Sequence, residues 1–283
     1  MYGKSPGRRA SVVGAENRHA PDVVLAAMHA LRTVLLALAT AAGGLVASAG
    51  DVVAARPTDG TTVEDYVDGM VHYLDSIWTR WMLAHGYTEP AVATVYPTGD
   101  RGYTSACLGD ETITGSTPNA MYCPADIGVI GERTFRGAVI IPLDGLAGFW
   151  SGNIWGRRSA TPGDFAAGLV VAHEFAHHIV DELATQRGVA QPVWKNNELI
   201  ADCLAGASTW AMARDQLLEA GDVEEALALL ELIGDYQVES RSHHGTPAER
   251  VAAFRVGLYG PETDGRVDSG GGVPEACFDA FWS

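Results

Sequence analysis

The segment at residues 170–178, VVAHEFAHH, constrains the fold of this chain most, because it places a His-Glu-x-x-His motif inside an apolar run of helical character. In a helix, residues four positions apart lie one turn apart on the same face, so His173 and His177 can reach one ion. Zinc suits two imidazoles and leaves positions for a third ligand and for water. Glu174 lies beside that face, where it can take a proton from water at the metal. The alternative is a pair of hydrogen-bonded histidines that face the core.

A second pair of polar residues with the same spacing begins 21 residues after His177. Glu198 and Asp202 lie at the start of the next predicted helix, again four positions apart. We expect Glu198 to complete a His₂Glu zinc site and Asp202 to accept the free N–H of a zinc-bound histidine. Metal ligation would offset the cost of burying carboxylates in this apolar stretch. The alternative is an acidic pair that only complements the helix dipole.

The remaining pattern favours an α+β domain: a helix, a small mixed sheet, and then further helices after the sheet. Apolar residues recur at helical spacing over 61–85, and Gly86 ends that predicted helix. Short strand-like runs, separated by Gly and Pro, follow at 91–96, 122–130 and 138–142. Four more helices are predicted at 165–185, 197–220, 222–236 and 247–259. The Gly-rich tail at 260–283 has no periodicity.

The N-terminus is predicted to be a secretory signal peptide. Residues 33–47 are apolar and uncharged, follow Arg32, and are shorter than the roughly 20 residues that span a bilayer as a helix. They end in an Ala-Ser-Ala pattern that places the cleavage site after Ala49. Met28 is an alternative start of the protein. An uncleaved anchor and a buried core helix are the alternatives to a signal peptide.

This interpretation sets the predicted domain organisation. Residues 1–49 form an N-terminal extension and signal peptide, residues 50–60 a linker, and residues 61–283 a single domain. We therefore expect a secreted, extracellular protein without a stable membrane anchor after cleavage.

The four cysteines are predicted to form two disulfides because an exported chain meets an oxidising environment. No two of them form a C-x-x-C pair, and four cysteines allow three connectivities. Closeness in the chain favours Cys107–Cys123, which leaves Cys203–Cys277. Buried free thiols and a cysteine-ligated metal are the alternatives.

Composition excludes several classes of protein. A chain with 47% hydrophobic and 19% charged residues is typical of a globular domain, not of a disordered, collagenous or coiled-coil protein. Its 19 Lys and Arg residues oppose 35 Asp and Glu residues, for a net charge of −16. A protein that acidic repels phosphate backbones, so we expect no nucleic-acid partner.

Four blocks of the sequence resemble the neutral zinc metallopeptidases, whose thermolysin-like His₂Glu arrangement is called gluzincin. They lie in the family's order over about residues 100–258. The blocks are YCPAD at 122–126, GDFA with VAHEFAHH within 163–178, ELIADCLAG at 198–206, and HGT with ERV within 244–251. The resemblance implies a zincin-like fold, zinc as cofactor, Glu174 as the catalytic base and Glu198 as the third ligand. The segment between Asp126 and Gly163 matches poorly.

The resemblance also directs attention to other polar residues. His244 lies in the HGT block and is the candidate donor to the oxyanion that forms during peptide hydrolysis. A histidine that caps a loop is the alternative, and Tyr122 is a second candidate donor. His178 points about 100° away from His177 around the helix, so we expect it behind the ligands or at the surface. The acidic residues of the helix predicted at 222–236, Glu224, Glu225 and Glu231, are expected on a solvated face.

Together these observations predict a secreted zinc metallopeptidase whose partner is a peptide or protein substrate. Two alternatives remain open. One is a non-catalytic exported binding module that keeps zinc for stability. The other is a zinc amidase that acts on cell-wall peptides.

Overall fold

The computed structural model describes residues 61–99, 101–109, 111–130, 133–240, 242–261 and 271–283. The predicted signal peptide, the alternative start at Met28 and the linker at 50–60 lie outside the described residues. Within them the elements, in chain order, are α1 (Val63–Ala84), β1 (Ala93–Val95), β2 (Tyr103–Thr104), β3 (Thr112–Ile113), β4 (Met121–Ile130), β5 (Arg133–Ile140), α2 (Leu143–Trp150), β6 (Asn153–Ile154), β7 (Arg157–Arg158), α3 (Asp164–Arg187), α4 (Lys195–Arg214), α5 (Asp222–Ile233), α6 (Pro247–Tyr259) and α7 (Pro274–Phe281).

The predicted α+β class is confirmed, and the sheet is small and mixed. Its strand order is β1-β5-β4, with β1 parallel and β4 antiparallel to the central β5. Two short antiparallel pairs, β2 with β3 and β6 with β7, stand beside it. Strand β4 is therefore an edge strand, and α3 packs against it. This edge brings Tyr122, which pairs with Val139 of β5, next to the helix that carries the His-Glu-x-x-His motif.

Helix α3 is the centre of the domain. Most of its residues are buried all the way round, which is typical of a helix enclosed by other elements on every side. It packs against α1, α2, α4, α5 and the sheet. Gly188 ends it in the left-handed conformation, with φ 65°, where glycine carries no Cβ penalty. The chain then turns, and α4 packs back on α3.

Helices α4 and α6 approach each other closely because both carry glycine at the contact. A Cβ atom on Gly206 would lie 2.1 Å from the carbonyl oxygen of Phe254, and one on Gly257 would lie 1.8 Å from that of Cys203. Only glycine fits at separations this short. The close approach carries Arg250 of α6 to the first turns of α4.

The structure contains both disulfides that chain proximity favours. Cys107 is joined to Cys123 of β4, and Cys203 of α4 is joined to Cys277 of α7. The second bond ties the C-terminal helix to the helix that carries Glu198. All four cysteines are paired.

Three details differ from the sequence prediction. The tail at 260–283 contains α7, whose eight residues are too few to show a periodicity. Helix α2 was missed for the same reason. Helix α4 ends at Arg214 and not at 220, because the backbone of Gln216 adopts a positive φ of 60° that a helix cannot contain. None of the described helices has the length and apolar character needed to cross a membrane.

Candidate metal centre

Helices α3 and α4 bring His173, His177 and Glu198 together. The Nε2 atoms of the two histidines are 3.1 Å apart. The Glu198 carboxylate lies 3.3 Å from Nε2 of His173 and 3.7 Å from Nε2 of His177. One potential ligand atom from each of the three residues lies within 4.8 Å of the other two. The spacing of the motif on α3 and the return of α4 after Gly188 produce this convergence.

The donor set fits zinc. Zinc–nitrogen bonds of about 2.0–2.1 Å at a tetrahedral angle separate two nitrogens by roughly 3.3 Å, close to the observed distance between the imidazoles. The surrounding charge also fits a divalent cation. Three carboxylates, those of Glu174, Glu198 and Asp202, line the cavity with one guanidinium, that of Arg250, so acidic groups are in excess among these residues. A divalent cation would neutralise this excess.

Asp202 orients the first histidine. Its Oδ1 atom lies 2.9 Å from Nδ1 of His173, which favours the tautomer that keeps the proton on Nδ1 and leaves the Nε2 lone pair for a metal. Arg250 donates to both oxygens of Asp202, over 2.7 and 2.8 Å. Burial alone would raise the pKa of Asp202, but the guanidinium and His173 hold it below its usual range. The aspartate is therefore ionised and fixed in place.

Burial lowers the pKa of His177 to about 4, so this imidazole is neutral at pH 7 and can donate a lone pair. Burial acts in the same direction on His173, but hydrogen bonds with Asp202 and Glu198 outweigh it and raise the pKa to about 10. A cation bound between these groups would replace that proton, and metal affinity would therefore depend on pH.

Glu174 also lies at this candidate metal centre, but its carboxylate contacts the edge strand of the sheet. Its Oε2 atom accepts a hydrogen bond of 2.8 Å from the backbone N–H of Tyr122 on the edge strand β4. Burial raises the pKa of Glu174 to about 7, the neighbouring charge of Glu198 adds to this, and His173 and the Tyr122 N–H oppose it. A carboxylate that exchanges a proton near neutral pH is suited to general-base work.

His244 lies at the edge of the site. Its backbone N–H donates to Oδ2 of Asp235 over 3.0 Å, and its Nδ1 atom lies 3.3 Å from the same oxygen. The neighbouring His243 is buried and contacts the other oxygen of Asp235. The His244 ring is about half exposed and lines the same cavity as the three candidate ligands. It is therefore held by Asp235 where it can face a ligand.

Tyr122 is placed differently from the sequence expectation. Its hydroxyl donates to Oδ2 of Asp181 over 2.8 Å, and the side chain of Gln191 donates to the other oxygen of that aspartate. The Tyr122 hydroxyl is thus hydrogen-bonded to Asp181, and the group of Tyr122 that contacts Glu174 is its backbone N–H. A Cβ atom on Gly137 would lie 2.4 Å from the Tyr122 hydroxyl oxygen, so glycine there makes room for the ring.

The structure excludes the surface position for His178 and corrects part of the acidic face expected for α5. His178 is fully buried against the rings of Tyr122 and Phe175 and does not lie at the surface. Glu224 and Glu231 are exposed as expected, but Glu225 is buried. Its Oε2 atom accepts a 3.0 Å hydrogen bond from the N–H of Phe165 at the start of α3, so this carboxylate caps another helix.

Asp222 lies in the same acidic group as Glu225 and Asp164. Burial raises the pKa of Asp222 to about 7, and its carboxylate neighbours add to the shift. The folded protein therefore holds a proton that the unfolded chain releases near pH 4, and this group costs stability as pH rises from about 4 through 7. The cost is greatest above pH 7.

We expect Asp222→Asn to raise stability at pH 8 and to leave it nearly unchanged at pH 4. The amide oxygen can still accept the 2.8 Å hydrogen bond from the N–H of Glu219. The expected gain is about 1 kcal/mol, less than the full pKa shift implies because an amide oxygen accepts a weaker hydrogen bond than a carboxylate. Urea unfolding of both proteins from pH 4 to 8 measures it, and a variant less stable than wild type at pH 8 would show that the ionised carboxylate is stabilising.

The candidate ligands and the residues around them line one cavity of about 590 Å³. His173, His177, Glu198, Glu174 and His244 are among its polar lining residues. The rest is largely apolar and is formed by the segment before β4, by α2, by the β6–β7 turn and by α3 and α5. The predicted site residues therefore share a cavity large enough for part of a peptide.

Sequence reasoning assigned no role to Arg250, Asp235, Asp181 or Gln191. Arg250 falls in one of the four blocks, but nothing in the local pattern indicates that it reaches Asp202. Asp235 falls inside the helix predicted at 222–236, but α5 ends at Ile233, so Asp235 lies just after it and eight residues before His243. The Asp181 contact depends on how β4 packs on α3.

Comparison with known proteins identifies a family for this chain. The family model described as "Putative neutral zinc metallopeptidase" matches residues 23–264. The uncharacterized protein YpfJ of Escherichia coli K12 is 32% identical to the chain, over 56% of this chain and 55% of that protein. The uncharacterized protein Rv2575 of Mycobacterium tuberculosis H37Rv is 26% identical, over 65% of this chain and 63% of that protein. The chain thus spans less than two thirds of either relative.

No solved structure matches the chain significantly. The family match nevertheless includes all four sequence blocks and the helices that carry the candidate ligands. The α+β architecture around the His-Glu-x-x-His helix is zincin-like, as predicted. The chain therefore belongs to the family of putative neutral zinc metallopeptidases.

Proposed function

We propose that this protein is an exported peptidase that depends on zinc held by His173, His177 and Glu198. The observation that carries the proposal is the convergence of these three donors beside Glu174 in one cavity. A zinc ion bound there would act as a Lewis acid toward the scissile carbonyl and would make water more acidic.

The side chains around the ligands then have distinct tasks. Glu174 accepts the proton of the attacking water and returns it to the leaving amine, a cycle that suits its pKa of about 7. The Tyr122 N–H holds the carboxylate in place. His244, fixed by Asp235, donates a hydrogen bond to the oxyanion that develops on the carbonyl. Asp202 and Arg250 keep the His173 ring oriented.

The non-catalytic alternative explains less of the site. A structural zinc site is closed by four protein ligands, whereas the grouping found among the described residues consists of three, next to the partly buried carboxylate of Glu174, which lines the cavity. The amidase alternative uses the same residues and differs only in substrate. A library of peptides, including cell-wall crosslink peptides, incubated with the zinc-loaded protein and then with the chelated protein, separates the three functions.

Export is a separate part of the proposal. It rests on Arg32, the apolar run at 33–47 and the Ala-Ser-Ala pattern at 47–49, and two disulfides are compatible with it. We expect N-terminal sequencing of protein from the culture medium to begin at Gly50. Recovery of the intact N-terminus from the cytosol would exclude export by this route.

A further inference from the structure

The turn between β6 and β7 carries a residue that its backbone geometry disfavours. Ile154 pairs with Arg157, so Trp155 and Gly156 form a two-residue turn. Their φ angles are 52° and 77°. Such turns favour Asn, Asp or Gly at both positions, and a bulky residue with positive φ is unusual. Strained residues of this kind cluster at functional sites, where the surrounding structure holds them.

The indole of Trp155 is fixed at the cavity and is still half exposed. Its Nε1–H donates to the carbonyl oxygen of Pro118 over 2.7 Å, and its ring lies edge-to-face with that of Phe149 at 6.2 Å. Both partners line the same cavity. Even so, 51% of Trp155 is accessible to solvent. The contacts therefore hold a large apolar surface at the cavity without covering it.

Apolar side chains line the same cavity as this indole and the metal centre. Leu169 and Val170 lie on α3 four and three residues before His173, one helical turn away on the same side. The other wall residues come from α2 and α5. They are Phe149, Leu229, Leu230 and Ile233. The apolar lining of the cavity thus includes residues one turn from a candidate ligand as well as Trp155 and its ring partner Phe149.

From this arrangement we propose that the apolar end of the cavity is a subsite for a large apolar side chain, aromatic or long aliphatic, of the peptide substrate. Trp155 is its specificity-determining residue, because the exposed indole gains contact area only when such a side chain lies against it. The subsite lies next to the candidate ligands, so the bound residue is close to the cleaved bond. This inference rests on the proposed peptidase function and adds its substrate class.

The test uses two peptides that are identical except at the residue beside the scissile bond. One peptide carries Leu or Phe there, and the other carries Ala. Binding is measured by calorimetry with zinc-loaded Glu174→Gln protein, which cannot turn the peptides over, and kcat/KM is measured with the active enzyme. We expect a preference of at least about tenfold for the large side chain in both assays, a typical discrimination by an apolar pocket.

Trp155→Asn removes the indole and supplies a residue that suits the turn, so the hairpin should fold. We expect this variant to lose most of the preference while its zinc content and Tm stay at the values of the parent protein. Trp155→Phe keeps an aromatic face and should keep most of the preference. Trp194→Ala is the matched control, because Trp194 is 61% exposed with a φ of 56° and does not line the cavity.

An equal affinity for the two peptides in the parent protein, or an unchanged preference in Trp155→Asn, would overturn the subsite. Loss of the preference in Trp194→Ala alone would place it elsewhere and would also overturn the proposal. Binding that depends on Trp155 without any hydrolysis would support the subsite and contradict the peptidase function. Hydrolysis of both peptides with equal kcat/KM would support the peptidase function and contradict the subsite.

Discussion

Glu174→Gln is expected to lower peptide turnover by at least about 100-fold while zinc content and melting temperature stay at wild-type values. Glutamine keeps the size of the side chain, and its amide oxygen can still accept the 2.8 Å hydrogen bond from the Tyr122 N–H. It cannot take a proton from water, and general-base catalysis typically contributes 10²–10⁴-fold. The measurement is kcat/KM on a peptide selected from the library, alongside metal analysis of the same preparation.

The control for this variant is Glu231→Gln, which makes the same chemical change at an exposed position of α5. It should be fully active. A fully active Glu174→Gln protein would remove the carboxylate from the mechanism. A Glu174→Gln protein that loses zinc would assign Glu174 to metal binding and not to proton transfer.

Glu198→Ala is expected to weaken zinc binding far more than the 10–100-fold that the loss of an outer partner of a ligand typically costs. Only His173 and His177 would remain of the three donors that lie within 4.8 Å of one another. Zinc bound to the native state stabilises it by mass action, so the rise in Tm that zinc produces in the wild-type protein should disappear. Competition with a chelator of known affinity measures the zinc Kd directly.

Asp202→Asn serves as the comparison for this second prediction. It keeps the contact with Nδ1 of His173 but removes the charge that faces Arg250, so we expect a loss of affinity within the 10–100-fold range. A normal zinc Kd in Glu198→Ala would show that Glu198 is not a ligand. Equal losses of zinc affinity in the two variants would indicate that Glu198, like Asp202, is an outer partner of a ligand and not a ligand itself.

The sequence predicts the parts of this site that depend on local geometry. His173, Glu174 and His177 lie on one helix, and Glu198 and Asp202 on another, so their spacing determines which side chains share a face. The boundaries of α1, α3 and α6 were predicted to within a few residues because each has clear start or stop signals, such as the Thr246–Glu249 capping box.

The contacts that local patterns do not determine are those between distant segments. Arg250 reaches Asp202 because Gly206 and Gly257 let α4 and α6 approach closely. Glu174 meets Tyr122 because the register of β4 on β5 points that N–H at α3. Similarly, Glu225 is buried because its carboxylate caps α3 across 60 residues of chain, and its neighbours in sequence do not indicate this.

Zinc-edge anomalous diffraction from crystals of the zinc-loaded protein would locate the metal without reference to activity. We expect one strong peak per chain, within bonding distance, about 2.0–2.2 Å, of nitrogens from His173 and His177 and an oxygen from Glu198. A zinc peak at the acidic group of Asp164, Asp222 and Glu225, with no peak between α3 and α4, would contradict the proposed zinc site.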